Sequence, residues 1–93
     1  MTHEWTTEEV LAVFALTKRF GTTGWRDDSL AKELLARGIS KGSVGMAIQG
    51  FLYLMGLPGG LNHPSRRQRE VFAEYKGCGK DELRKLAQER LRG

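Results

Sequence analysis

The sequence predicts an all-α protein, a three-helix helix-turn-helix core followed by one or two additional C-terminal helices. Apolar residues recur at the three-and-four spacing of a helix in five successive stretches. A capping residue stands ahead of each stretch, and glycine or proline interrupts the chain between most of them. With 93 residues there is material for one hydrophobic core and not two, so residues 1–93 are expected to form a single domain. Its parts are a core over about 5–55, a loop over 56–64, and helices over 65–76 and 80–92.

The first helix has the clearest start. Thr6 and Glu9 form a capping box, in which the threonine oxygen and the glutamate carboxylate each take a free backbone amide, and Trp5 precedes it as a hydrophobic lid. Val10, Leu11, Phe14, Ala15 and Phe20 follow at helical spacing; Lys18 and Arg19 suit the negative end of the dipole, and Gly21 ends the helix. The segment GTTGW reads as a loop. Asp27 or Asp28 then caps a helix of about three turns, with Leu30, Ala31, Leu34 and Leu35 as its apolar face and Gly38 as its stop. Ile39 turns inward and Ser40 caps the third helix, which makes ARGIS a connection of helix-turn-helix length.

The stretch from Ser40 to Leu54 is the one around which the rest is expected to be organised. At 100° per residue, Val44, Ala47, Ile48, Phe51, Leu52 and Met55 fall on one side, the core face. The opposite side carries Gly42, Met46, Gln49 and Tyr53, flanked by Gly45 and Gly50. Each glycine costs a helix roughly 0.8 to 1 kcal/mol against alanine. A backbone or groove lying against this face accounts for that cost, and so does a solvated face or one packed on a later helix.

Gly56 closes the third helix, and LPGGLNHP follows as an irregular loop able to serve as a small wing. Ser65 and Gln68 make a second capping box, and Gln68, Val71, Phe72 and Tyr75 share a face. Arg66, Arg67 and Arg69 crowd the first turn, where their charge opposes the dipole. A broken local rule of this kind marks either a functional surface or a face with room for charge. GCGK interrupts the chain again, after which Asp81 caps a last helix with Leu83, Leu86, Ala87 and Leu91 inward. The outer face of that helix, with mixed charge, reads as ordinarily solvated.

Composition narrows the function. Net charge is +4 and unevenly spread: residues 1–38 hold five Lys/Arg against six acids, and the remainder holds ten against five. Such asymmetry suggests a polyanion as partner. No apolar run approaches the roughly 20 residues a membrane span needs. The polar N-terminus is neither a secretory signal nor a transit peptide, so a cytoplasmic protein without membrane contact is expected. A single cysteine, Cys78, excludes an internal disulfide framework, and His3 and His63 alone make no zinc site; no cofactor or metal is expected. Carboxylate pairs such as Glu8–Glu9 and Asp81–Glu82 belong to helix starts, and no Ser, His or Cys has the partners nucleophilic catalysis requires, so no enzyme is expected.

The W-T-x-E-E opening, the second tryptophan at Trp25, the short second helix and the S-V third helix are similar to Myb/SANT-like three-helix DNA-binding domains. A more specific likeness covers most of the chain: it resembles the small N-terminal domain that precedes the nuclease in many bacterial HNH-type restriction endonucleases. Trp5 to Val10 matches that family's W-T-x-E-E-L opening. SKGSVGMAIQGF, ending at Phe51, matches R-x-P-x-S-V-x-M-K-L-x-N-F, and Gly60 to Tyr75 matches G-L-S-N-x-S-x-x-D-R-x-V-W-E-E-F without a gap. Ser43, Val44, Met46, Phe51, Gly60, Leu61, Ser65, Arg69, Val71 and Glu74 keep the family's letters. Lys41 replaces its proline, Ala47 its lysine, Gly50 and His63 its asparagines, and Gln68 its acid. These residues contain no histidine-rich metal motif, so the resemblance implies the DNA-reading part and not the cutting part.

The leading expectation is therefore double-stranded DNA binding, in a target-recognition or regulatory module of bacterial or phage origin related to restriction systems. The third helix enters the major groove, where Gln49 can pair bidentately with adenine and Met46 and Tyr53 lie on either side of it. Ser40, Lys41 and Ser43 at that helix's start are placed for phosphate, as are Arg66, Arg67 and Arg69. His63 is either a further phosphate contact or an exposed loop residue without a role. The rival expectation is a protein-interaction module, in which the Gly-rich face docks on a nuclease, on another protein partner or on a second copy as a homodimer.

Overall fold

The computed structural model describes residues 4–92, and every regular element in them is helical: α1 (Thr7–Phe20), a one-turn 3₁₀ segment (Trp25–Asp27), α2 (Ser29–Ala36), α3 (Lys41–Leu54), α4 (Arg66–Tyr75) and α5 (Lys80–Arg92). Local chemistry sets the starts. Thr6 Oγ1 accepts from the Glu9 amide at 3.2 Å while Glu9 Oε1 accepts from the Thr6 amide at 2.9 Å. Ser65 and Gln68 repeat the pattern at 3.1 and 3.0 Å. Asp28 caps α2 by accepting from the Leu30 amide at 3.0 Å, and Ser40 caps α3 through the Ser43 amide at 3.1 Å. Asp81 does not cap α5. The helix begins at Lys80, so Asp81 lies within its first turn, where a negative charge still suits the dipole.

Between α2 and α3 the chain has only residues 37–40. Gly38 adopts φ 91°, a left-handed conformation that costs glycine nothing. The Gly38 and Ile39 amides can then bond the carbonyls of Leu35 and Leu34 at 3.0 and 3.4 Å. This pair of bonds closes α2 and turns Ile39 into the core with Leu34.

The central helix is α1 and not α3. Every residue from Glu9 to Thr17 is buried, and the other four helices all pack against it. A single apolar face of Val10, Leu11, Phe14 and Ala15 understates the burial, because Ala12, Val13 and Leu16 are equally enclosed. A helix that is apolar all round is wrapped on all sides. Phe14 stacks on Phe51 of α3, with ring centroids 4.7 Å apart and planes 14° apart, and Phe72 of α4 tilts against it at 5.8 Å. Leu83, Ala87 and Leu91 of α5 cover another flank.

Three basic residues are engaged by this packing. Lys18 Nζ donates to the carbonyls of Lys76, at 3.0 Å, and Cys78, at the end of α4. Arg37 donates to Glu9 Oε2 at 3.2 Å and to the Leu91 carbonyl at 2.9 Å, in the last turn of α5. Arg84 holds Asp28 Oδ2 at 2.8 Å and Ser29 Oγ at 3.1 Å, so α5's outer face is not merely solvated: it fastens the start of α2. Among the described residues no helix is long and apolar enough to cross a membrane. His3 lies outside them.

Candidate functional site

The outward side of α3 is where the sequence places it, and it is apolar. Met46 is 66% exposed and Tyr53 43%; Leu57 and Leu61, both 46% exposed, extend the surface into the loop after α3. Among the described residues these four are the large apolar side chains that stand exposed. Single exposed apolar residues are ordinary, whereas a concentration of them on one face marks an interaction surface.

Residues 56–64 hold that surface in shape. The Leu61 amide donates to the Gln49 carbonyl at 3.1 Å, laying the loop along α3. Gly60 makes the approach possible, since a Cβ there would run into the backbone of Tyr53. The loop thereby raises a wall beside Met46 and encloses a cavity of about 250 Å³ between the N-terminal end of α1, α3 and the start of α4. Ser43, Met46 and His63 line it, and so do Trp5, Leu61 and Gln68. Gln49 lies apart from this group. It is half-buried at the opposite edge of the outward stripe, in a depression shared with Thr22, Trp25 and Arg26.

Polar groups in the cavity are largely committed. Gln68 Nε2 donates to the Ala47 carbonyl at 2.7 Å and its Oε1 accepts from the Ser65 amide. Ser40 Oγ donates to Ser43 Oγ at 2.9 Å at the exposed start of α3. The His63 side chain is exposed at the rim.

Charge is concentrated around this face and not on it. Lys41 is exposed at the first residue of α3, and Arg66, Arg67 and Arg69 are exposed in the first turn of α4. Their restraints are slight: Arg66 lies 3.9 Å from Glu70 with both side chains well solvated, and Arg67 reaches Thr7 Oγ1 at 3.4 Å. Across α3, Arg26 lies over the Trp25 ring at 4.8 Å from its centroid. No Asp or Glu occurs between Glu33 and Glu70, so nothing on α3 or its loop offsets these cations. That gap between acids is a sequence signal that would have drawn attention to the whole surface. Arg26, Trp5 and Leu61 escape sequence reasoning because only the fold brings them to α3.

The glycines of α3 do not form an open face. Gly50 is buried beneath the Gln68 amide, whose nearest atoms would stand 2.9 to 3.3 Å from a Cβ at that position, and Gly45 rests on Trp25. Their smallness is used inside the protein, which leaves Gly42 as the α3 glycine in the open. Cys78, beside the end of α4, is remote from this surface in role. Desolvation first, and then hydrogen bonding and repulsion from Glu82, push its thiol above the ordinary range, with Lys18 opposing. Compared with protein-family models, curated proteins and solved structures, the chain matches none.

Proposed function

We propose that the chain is a double-stranded DNA-binding module, with α3 in the major groove and the start of α4 and the preceding loop on the phosphates. The observation that carries this reading is the charge arrangement. An uncharged, exposed face of α3 is bordered by Lys41, Arg66 and Arg67, all within a stretch that has no acid between Glu33 and Glu70, and by Arg26 on its other flank. Duplex DNA presents the complementary pattern, base edges bordered by two lines of phosphate. The short α2–α3 connection closed at Gly38 supports a helix-turn-helix reading of these two helices.

In this reading Lys41, Arg66, Arg67 and Arg69 supply affinity, Ser40 and Ser43 meet phosphate at the start of α3, and His63 adds a rim contact. Gln49 reads an adenine edge from the Arg26 side, with Met46 and Tyr53 beside it. The resemblance to the N-terminal domain of HNH-type restriction endonucleases points the same way, toward target recognition or regulation, and no residue is given a catalytic role. Fluorescence anisotropy of a labelled duplex, with wild type beside the Arg66→Ala/Arg67→Ala variant, tests it. Binding by the wild type that the double variant loses supports the reading, and absence of wild-type binding at low salt ends it.

A protein-interaction module is the second reading, favoured by the exposed Met46, Tyr53, Leu57 and Leu61. It rests on these side chains and not on glycines, because Gly45 and Gly50 are covered from within.

A further inference from the structure

Three features of the α3 surface bear on which part of a duplex it recognises, an inference that rests on the DNA reading above. First, Met46 and Tyr53, seven residues apart, stand two turns apart on the outward side of α3, and Leu57 is exposed just past the Gly56 turn that ends the helix. Second, Lys41 and Gln49 are the residues on α3 whose side chains carry a charge or an amide, and Gln49 is half-buried on the Arg26 side. Third, the cavity beside Met46 is walled by Trp5 and Leu61, and the one amide in it, Gln68, is engaged with Ala47 and Ser65. This surface has much apolar area to bury and few hydrogen bonds to offer. In the major groove the bases present donors, acceptors and one apolar group, the C5-methyl of thymine.

We infer that the α3 face reads thymine by burying its C5-methyl against Met46 and Leu61 at the mouth of the cavity, with Gln49 available for adenine in the same A·T-containing site. Selection then comes from desolvation as well as hydrogen bonding. Cytosine and uracil at the same place leave the apolar pocket mouth facing an unmethylated ring edge. The basic border supplies the anchorage that brings the face into the groove and is indifferent to sequence.

The test compares two labelled duplexes of the same A·T-rich sequence, one with thymine and one with deoxyuridine at every such position, which removes only the methyl groups. Anisotropy titrations of the wild type are expected to show weaker binding to the uracil duplex, by about fourfold for each methyl buried. Met46→Ala is expected to bind the thymine duplex more weakly and to lose the discrimination, whereas Met46→Leu, which keeps an apolar contact, retains it. With Met46 66% exposed, neither change disturbs the core, and unchanged thermal melting checks this. Equal wild-type affinity for the two duplexes overturns the inference and leaves DNA binding standing; no binding to either overturns both.

Discussion

Gly50 and Gln68 give the sharpest test of how α4 is seated, and with it the basic first turn of that helix. A methyl added at Gly50 would lie 2.9 Å from Gln68 Nε2, 3.0 Å from Oε1 and 3.3 Å from Cδ. Two effects then oppose. Alanine is favoured over glycine within a helix by about 0.8 to 1 kcal/mol. Moving the Gln68 amide aside breaks its bonds to Ala47 and Ser65 and strands part of a buried amide, for roughly 2 to 3 kcal/mol. The second effect is larger, so Gly50→Ala is expected to destabilise the protein by about 1 to 2 kcal/mol, lowering Tm by roughly 5 to 15 °C at this chain length. In a Gln68→Ala background the obstruction is gone and the sign reverses, to a gain of about 1 kcal/mol. Urea denaturation of the four proteins gives the coupling, expected at roughly 2 to 3 kcal/mol. If Gly50→Ala stabilises the wild type, or has the same effect in both backgrounds, α4 is not seated on α3 in this way.

The remaining predictions concern the other long-range ties. Arg37→Ala removes the guanidinium that lies 3.2 Å from Glu9, whose side chain is 4% exposed, and that also ties the Leu91 carbonyl. The cost is about 2 to 3 kcal/mol, below that of a fully buried pair because Arg37 is a third exposed, and calorimetric melting should fall accordingly. Gly60→Ala forces the loop off Tyr53, and amide hydrogen exchange should report it as lost protection at Leu61 with α1 unaffected. Because its thiol is pushed up, Cys78 is expected to alkylate more slowly at neutral pH than an unstructured cysteine, the thiolate being the reactive form. Glu82→Gln removes one cause of that shift and should speed the reaction.

Helix boundaries were legible because caps act within three or four residues. Thr6, Ser40 and Ser65 each announce a start that needs no distant partner, and Gly38 announces a stop. What escaped depends on contacts between residues far apart in sequence. VLAVFAL satisfies a one-face pattern, but its central place follows from four other helices needing a surface to cover. Gly50 flanks the outward stripe by angle alone, and Gln68, from the next helix, covers it. Arg84 looks like one charge among many on α5 until α2 brings Asp28 to it. At the site, Met46 and Tyr53 stand exposed as periodicity requires, and Ser43, Met46 and His63 do meet around one cavity. Gln49 is turned toward Arg26, and Trp5 and Leu61 join from elements that helical periodicity does not relate to α3.

The measurement that bears most directly on the proposed function is the salt dependence of duplex binding, wild type against Arg66→Ala/Arg67→Ala. Each phosphate contact contributes about 0.9 to the slope of log K against log salt. If both arginines touch phosphate, the double variant should bind more weakly at low salt with a slope shallower by about 1.8. Equal slopes and affinities for the two proteins would contradict the placement of α4 on the DNA backbone, and failure of the wild type to bind any duplex at low salt would contradict DNA binding itself.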